Sequence, residues 1–373
     1  MSAHRRLWTR QPTFLVCVAL VLSACASGAT PTPTRVLRTQ TSVATLTPPP
    51  TAIPPTATVI PSPSPTATPA VPWPLTGLPA RNAEEIKRPA LAVKISNSPE
   101  ARPQSGLQDA DIVFEHLSEA GITRYTAIFH SRTVTEVGSV RSARLIDLEI
   151  PAMYSSSLAF SGASGPVLEM IYSSDFADRL VTEGDPGTFR KQGTGKAWEH
   201  TLFVVPDDLW KLAEKKGWPG LPDSRGMRFD AKPPTGGQPA MVAQIPYNSY
   251  YFDVTWTYSA ERGGYLHSIL GAPHLDALTG EQIAVSNVVI LYVNHVDTLI
   301  VENEMGGRSI EIQLWGSGNA TVLRDGQSWD VGWRRPNRSD AITLVMSDGE
   351  TFPLKPGNTW YDLTPLNMNV TVQ

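Results

Sequence analysis

Apolar and polar positions along this 373-residue chain change rhythm several times, and the changes mark its organisation. Residues 90–96, 111–117 and 124–130 are short runs rich in β-branched and aromatic residues, which predicts three strands. A helix is predicted over residues 166–181. A second is better delimited over 206–217, where Pro206 suits a first turn and Asp207 and Asp208 suit the positive helix end. Lys215-Lys216-Gly217 supplies its stop. The stretch 220–237 then carries Pro222, Pro233, Pro234 and Gly236-Gly237, breakers that suggest a boundary or a long surface crossing. Beyond it the pattern turns to short strands at 250–258, 264–270, 288–293, 298–301, 310–314, 320–323 and 341–346. Asp325-Gly326 and Asp348-Gly349 are hairpin signals. The predicted class is α+β: a mixed α/β N-terminal domain over 73–222, then a mostly β C-terminal domain over 238–373.

The first 72 residues follow other rules. Arg5, Arg6 and Arg10 precede an apolar run over residues 14–22 that ends in Leu22-Ser23-Ala24-Cys25. About 20 apolar residues are needed to cross a bilayer, so a run of this length predicts a signal peptide over residues 1–24 rather than a membrane span. Residues 26–72 hold 12 prolines and 12 threonines, with Arg35 and Arg38 as the only charges. Such a segment cannot bury a core, and at ~3.1 Å per residue it predicts an extended spacer reaching roughly 100 Å.

Composition removes several chemistries. Cys17 falls in the predicted signal and Cys25 at its end, so the body has no thiol for a redox pair, a nucleophile or a cysteine metal site. The net charge of −4 comes without a basic stretch in the mature chain, which argues against nucleic acid as a partner. His274 with Asp276, and His295 with Asp297, place polar pairs along strands but lack the three or four convergent ligands of a metal site. No metal and no cofactor is predicted. Ser161-Gly-Ala-Ser-Gly165 is one residue short of the nucleophile elbow. Gly193-Thr-Gly-Lys196 lacks the upstream glycine and the hydroxyl residue of a phosphate loop.

The densest polar constellation lies between residues 97 and 144. Its candidate ligand-binding residues are Asn97, Arg102, Asp111, Glu115, Arg124, Arg141 and Arg144, with Gln104, Asp109 and Glu119 among them. Several interrupt apolar stretches, where surface charge is not expected. Arg141 and Arg144 share a face if a helix begins there, and arginine forks suit phosphate or carboxylate. The equal alternative is a buried network in which Glu115 and Glu119 neutralise Arg124 and Arg141.

These segments also carry a resemblance. Residues 95–107, Ala110-Asp-Ile-Val-Phe-Glu115, Gly121-Ile-Thr-Arg124 and Gly138-Ser-Val-Arg-Ser-Ala-Arg144 resemble the YerB-like lipoproteins, a family defined by a domain of unknown function. The C-terminal segments 287–295, Asp325-Gly326 and 356–361 are similar to its later motifs. Ala120 departs from it, standing where the family more often has glycine. The Leu-Ser-Ala-Cys ending resembles a lipobox, which implies diacylglyceryl and acyl (palmitate) modification of Cys25. The resemblance implies an extracytoplasmic, membrane-anchored lipoprotein and no particular activity. A binding or accessory module of the cell envelope with an anionic glycan or lipid ligand is the leading expectation. The alternatives are an enzyme of phosphoryl or glycosyl-phosphate transfer or hydrolysis, with Asp111 or Glu115 as base, and a structural spacer.

Overall fold

The structure, a computed structural model, describes residues 71–248 and 250–373. Cys25, the predicted signal peptide and almost all of the predicted spacer lie outside the described residues.

Eleven strands form the central sheet. The N-terminal half supplies β1 (Leu91–Ser96), β2 (Ile112–Leu117), β3 (Thr123–Phe129), β4 (Ser157–Ala159) and β5 (Leu180–Val181). The C-terminal half supplies β6 (Gln238–Pro239), β7 (Asn287–Val293), β8 (Gly316–Arg324), β9 (Gln327–Arg335), β10 (Thr343–Val345) and β11 (Thr359–Pro365). Their order is β6-β9-β8-β7-β11-β2-β3-β1-β4-β5, with β10 on β9. The join between the halves is the parallel pairing of β2 with β11, in which Glu115 stands opposite Asp362. The segments 73–222 and 238–373, expected as successive domains, thus contribute to one unbroken sheet.

Every residue of β1 and β3 is buried, as expected for strands covered on both faces. Their period of two divides them between two cores. Ala92, Ile112, Phe114 and Ile128 face one, together with Ile150, Phe160 and Ile171. Leu91, Val93, Ile95, Val113 and Phe129 face the other, where a second, six-stranded sheet that includes Val242–Pro246, Asp253–Ser259 and Gly264–Ile269 brings Ile245, Val254, Trp256 and Tyr265. Strands outnumber helices strongly, and helices occur only in the N-terminal half among the described residues.

Two helices matter here: α1 (Gly165–Tyr172) and α2 (Pro206–Lys216). α2 ends on Gly217 in the left-handed region, as its sequence predicts. α1 is shorter than predicted. Ser173 and Ser174 end it, the Ser174 hydroxyl donating to the Ile171 carbonyl, and residues 180–181 leave as strand β5. Several strands escaped prediction, among them β4, β6, β9 and β11 of the central sheet and Val242–Pro246 of the second. Asp325 and Gly326 both take positive φ, 54° and 73°, in the two-residue loop joining β8 to β9. Ala120 also sits at φ 60°, a conformation that favours glycine.

Candidate functional site

Because the strands alternate, the polar residues inserted in β1–β3 divide into two buried networks on opposite faces. On the first face Lys94 Nζ lies 2.8 Å from Asp147 Oδ2, 3.0 Å from Thr126 Oγ1 and 2.6 Å from His116 Nε2. Burial lowers Lys94 to about 8, although Asp147 opposes the shift. His116 Nδ1 donates to the Leu117 carbonyl, so its Nε2 is the acceptor for Lys94.

Glu119 lies beside this network and gathers the arginines. Arg124 Nη2 donates to its Oε1 at 2.9 Å, and Arg144 grips both oxygens, with Nε 2.7 Å from Oε2. Burial by itself raises a carboxyl, but the Arg144 hydrogen bond and the charges of Arg124 and Arg144 overcome it and hold Glu119 at about 2. Glu302, from the C-terminal half, approaches Arg144 Nε at 3.5 Å. Burial and the neighbouring Arg144 bring Arg124 down to about 9.

Arg141 and Arg144 do not share a helical face. The Arg141 N–H pairs with the Lys94 carbonyl, and Arg144 is an extended residue preceding the 3₁₀ turn Leu145–Leu148. Arg144 turns in to Glu119. Arg141 instead lines an open cleft of about 390 Å³ with Ser96, Asn97, Arg124, Glu199 and His200. Among the described residues no carboxylate stands within 4 Å of its guanidinium. Burial lowers its pKa and Glu199 partly restores it.

Asn97 borders the same cleft and is fixed from within, donating to Thr123 Oγ1 at 2.7 Å and accepting from Arg102 Nε at 3.0 Å. Arg102 is committed to structure, bonding also to the carbonyls of Asn97 and Tyr251. Asp111 is not in the cleft. It lies at the other end of β2, about 16 Å away at the usual rise per residue, and accepts the backbone N–H groups of His130 and Ser131 at 2.6 Å each.

Glu115 is on the opposite face and neutralises no arginine. Thr123 Oγ1 donates to its Oε1 at 2.8 Å, and its Oε2 lies 3.6 Å from His267 Nε2, both atoms otherwise unpartnered. Burial raises Glu115 to about 7. Asp362 beside it is pushed well up by burial and by the Glu115 charge. It accepts from Trp256 Nε1 at 2.9 Å and from the Tyr247 hydroxyl at 3.4 Å. Burial keeps His267 at about 3 and His274 well below its ordinary value. With both imidazoles neutral, a protonated Glu115 orders one chain: Glu115 toward His267 Nε2, His267 Nδ1 to His274 Nδ1 (2.7 Å), and His274 Nε2 to Gln104 Oε1 (2.6 Å). His274 therefore bonds to His267 and Gln104 rather than acting with Asp276, and His295 Nδ1 bonds to the Val293 carbonyl.

The sequence reading overlooked the third wall of the cleft, the 3₁₀ turn Trp198–His200. His200 is 5 % exposed, yet its Nδ1 has no hydrogen-bond partner. Burial, then Arg141, lowers its pKa. Its only signal was an aromatic-acid-imidazole triplet after a loop already rejected as a phosphate binder. A larger depression of about 630 Å³ lies along β8 and β9, but no cationic side chain lines it among the described residues.

Comparison with known proteins places this geometry in a family. The model for the protein of unknown function DUF3048, N-terminal domain, matches residues 75–219, and that for its C-terminal domain matches residues 243–361. The chain is 30% identical over 299 residues to Bacillus subtilis YerB, named as an inferred lipoprotein, covering 78% of this chain and 86% of that one. The crystal structure of Bacillus subtilis YerB superposes with a TM-score of 0.67 at 27% identity, over 81% of this chain and 99% of that one. Among the described residues no helix is long and apolar enough to cross a membrane.

Proposed function

The chain belongs to the DUF3048 family, and from that premise we propose that it is an extracytoplasmic lipoprotein, anchored through Cys25, whose body binds an anionic ligand of the cell envelope in the Arg141 cleft. The supporting observation is the division of the arginines. Arg124 and Arg144 share Glu119, whereas Arg141 reaches the cleft with no carboxylate within 4 Å among the described residues. A guanidinium so placed keeps its fork free for a carboxylate or phosphate. The Ala26-to-Pro72 spacer gives the body reach away from the bilayer, and acylation of Cys25 gives it attachment.

The enzyme alternative needs a base beside the arginines. Asp111 is spent on the His130–Ser131 turn and Glu115 faces the other side of the sheet, so neither acid of that scheme borders the cleft.

Native mass spectrometry of the full-length chain extracted from its own envelope tests the reading. The expected result is an anionic adduct on the parent that is lost from Arg141→Ala. A bare parent, or an adduct that survives the substitution, refutes it.

A further inference from the structure

The cleft has two features that a simple anion site does not need. Glu100 and Glu199 stand on its lining with Arg141 and Arg124, so the lining carries both signs of charge. A small, highly charged anion gains little there, because each rim carboxylate repels it. A ligand that carries one acidic group and several hydroxyls suits the same lining: the acid meets Arg141, and the hydroxyls donate to Glu100 and Glu199.

The second feature is Trp198, which stands between cleft residues Ala197 and Glu199 and is 64 % exposed. The Arg190 guanidinium lies 3.7 Å from its ring centroid and is itself fixed by an ion pair with Glu183 and a bond to Thr201 Oγ1 at 3.0 Å. One face of the indole is therefore backed by a tethered cation. A ring that keeps this much exposure with one face covered presents the other to solvent, one residue along the turn from the lining residues Ala197 and Glu199. Beside it the buried His200 Nδ1 still lacks a partner.

We propose that the cleft binds an acidic sugar, with the pyranose ring stacked on Trp198 and its carboxylate or phosphate on Arg141 and His200. The ring's apolar C–H face covers the free indole face, and the hydroxyl edge turns to the acids. This rests on the anionic-ligand reading above and narrows it to a carbohydrate, whether free or part of a glycolipid.

Calorimetric titration of the detergent-solubilised full-length chain tests it with three probes: a galacturonate trimer, a neutral galactose trimer and inorganic phosphate. The galacturonate trimer is expected to bind at least about tenfold more tightly than either other probe, as one charge-assisted hydrogen bond predicts. Trp198→Ala removes an exposed side chain and should fold normally. It is expected to weaken the trimer about tenfold, the worth of roughly 60 Å² of apolar contact. Arg141→Ala is expected to weaken it by about ten- to a hundredfold. If acidic and neutral trimers bind alike, if phosphate binds best, if the acidic trimer does not bind, or if Trp198→Ala leaves its affinity unchanged, the sugar assignment falls. The anionic-ligand reading survives any of these results so long as the native adduct still depends on Arg141, so the two failures are separable. Comparing galacturonate trimer with vesicles bearing an acidic glycolipid then separates a free glycan from a membrane source.

Discussion

Glu115→Gln should change how stability depends on pH, and the size of the change can be worked from the site. The Glu115 carboxyl is wholly buried, takes hydrogen bonds from Thr123 and Asn97, and lies beside Asp362 on the neighbouring strand. Burial moves it from an ordinary 4.5 to about 7, so between those values the folded chain holds a proton that the unfolded chain has released. Stability from this group is therefore complete below pH 4.5, declines as pH rises, and is gone above 7. At 1.36 kcal/mol per pH unit, the loss is on the order of 3 kcal/mol. Glutamine cannot ionise, yet its carbonyl oxygen can accept from Thr123 and Asn97 while its amide faces His267 Nε2. Urea unfolding of parent and variant, followed by circular dichroism from pH 4.5 to 8.5, gives the difference for the Glu115–Asp362 pair, with titrations away from the pair cancelled. The variant should match the parent or fall slightly below it at the acid end and gain steadily toward the alkaline end. Parallel curves for the two proteins refute the argument, because Glu115 would then titrate normally in the fold.

Other substitutions test other parts of the structure. Glu119→Ala leaves Arg124 and Arg144 buried without their shared carboxylate and should cost roughly 3–5 kcal/mol in chemical denaturation, with a cost under about 1 kcal/mol inconsistent with the cluster. Ala120→Gly relieves a left-handed alanine and should raise stability by about 1 kcal/mol, read as a higher melting temperature; a lower one contradicts the strain argument. Cys25→Ala should move the protein from the membrane pellet to the soluble fraction with its far-ultraviolet spectrum unchanged, and retention in the pellet would place the anchor elsewhere.

Parts of this fold were legible in the sequence because local signals agreed with the final environment. Strands β1 to β3 carry apolar runs and are buried almost throughout, and that is what a sheet covered on both faces requires. Strand β11 was passed over because Asp362 breaks its apolar run, and the reason for that acid lies 106 residues away at the Trp256 indole. The arginine segment was found, but its division was not. Whether residues 141–144 are helical or extended decides which arginine is neutralised, and that is set by pairing with β1 rather than by local propensity. The acids were only partly assigned, for a similar reason: Glu119 does pair with Arg124, but Glu115 meets no arginine. Glu115 and Glu119 are four residues apart, yet strand alternation and the turn at Ala120 send them to opposite faces. The Trp198–His200 turn had no pattern to announce it, since its role depends on neighbours some 60 to 100 residues earlier.

The position of β11 has a consequence for how the protein comes into being. A chain delivered across a membrane with its N-terminus leading presents β2 long before residue 359 follows, and until then one long edge of β2 has no neighbour. Open edges of that kind recruit other strands. The centre of the sheet is completed only near the end of delivery, when a late segment slots between β7 and β2 and aligns Asp362 with Glu115. A product cut short before residue 359 is therefore missing the middle of its sheet rather than its tail.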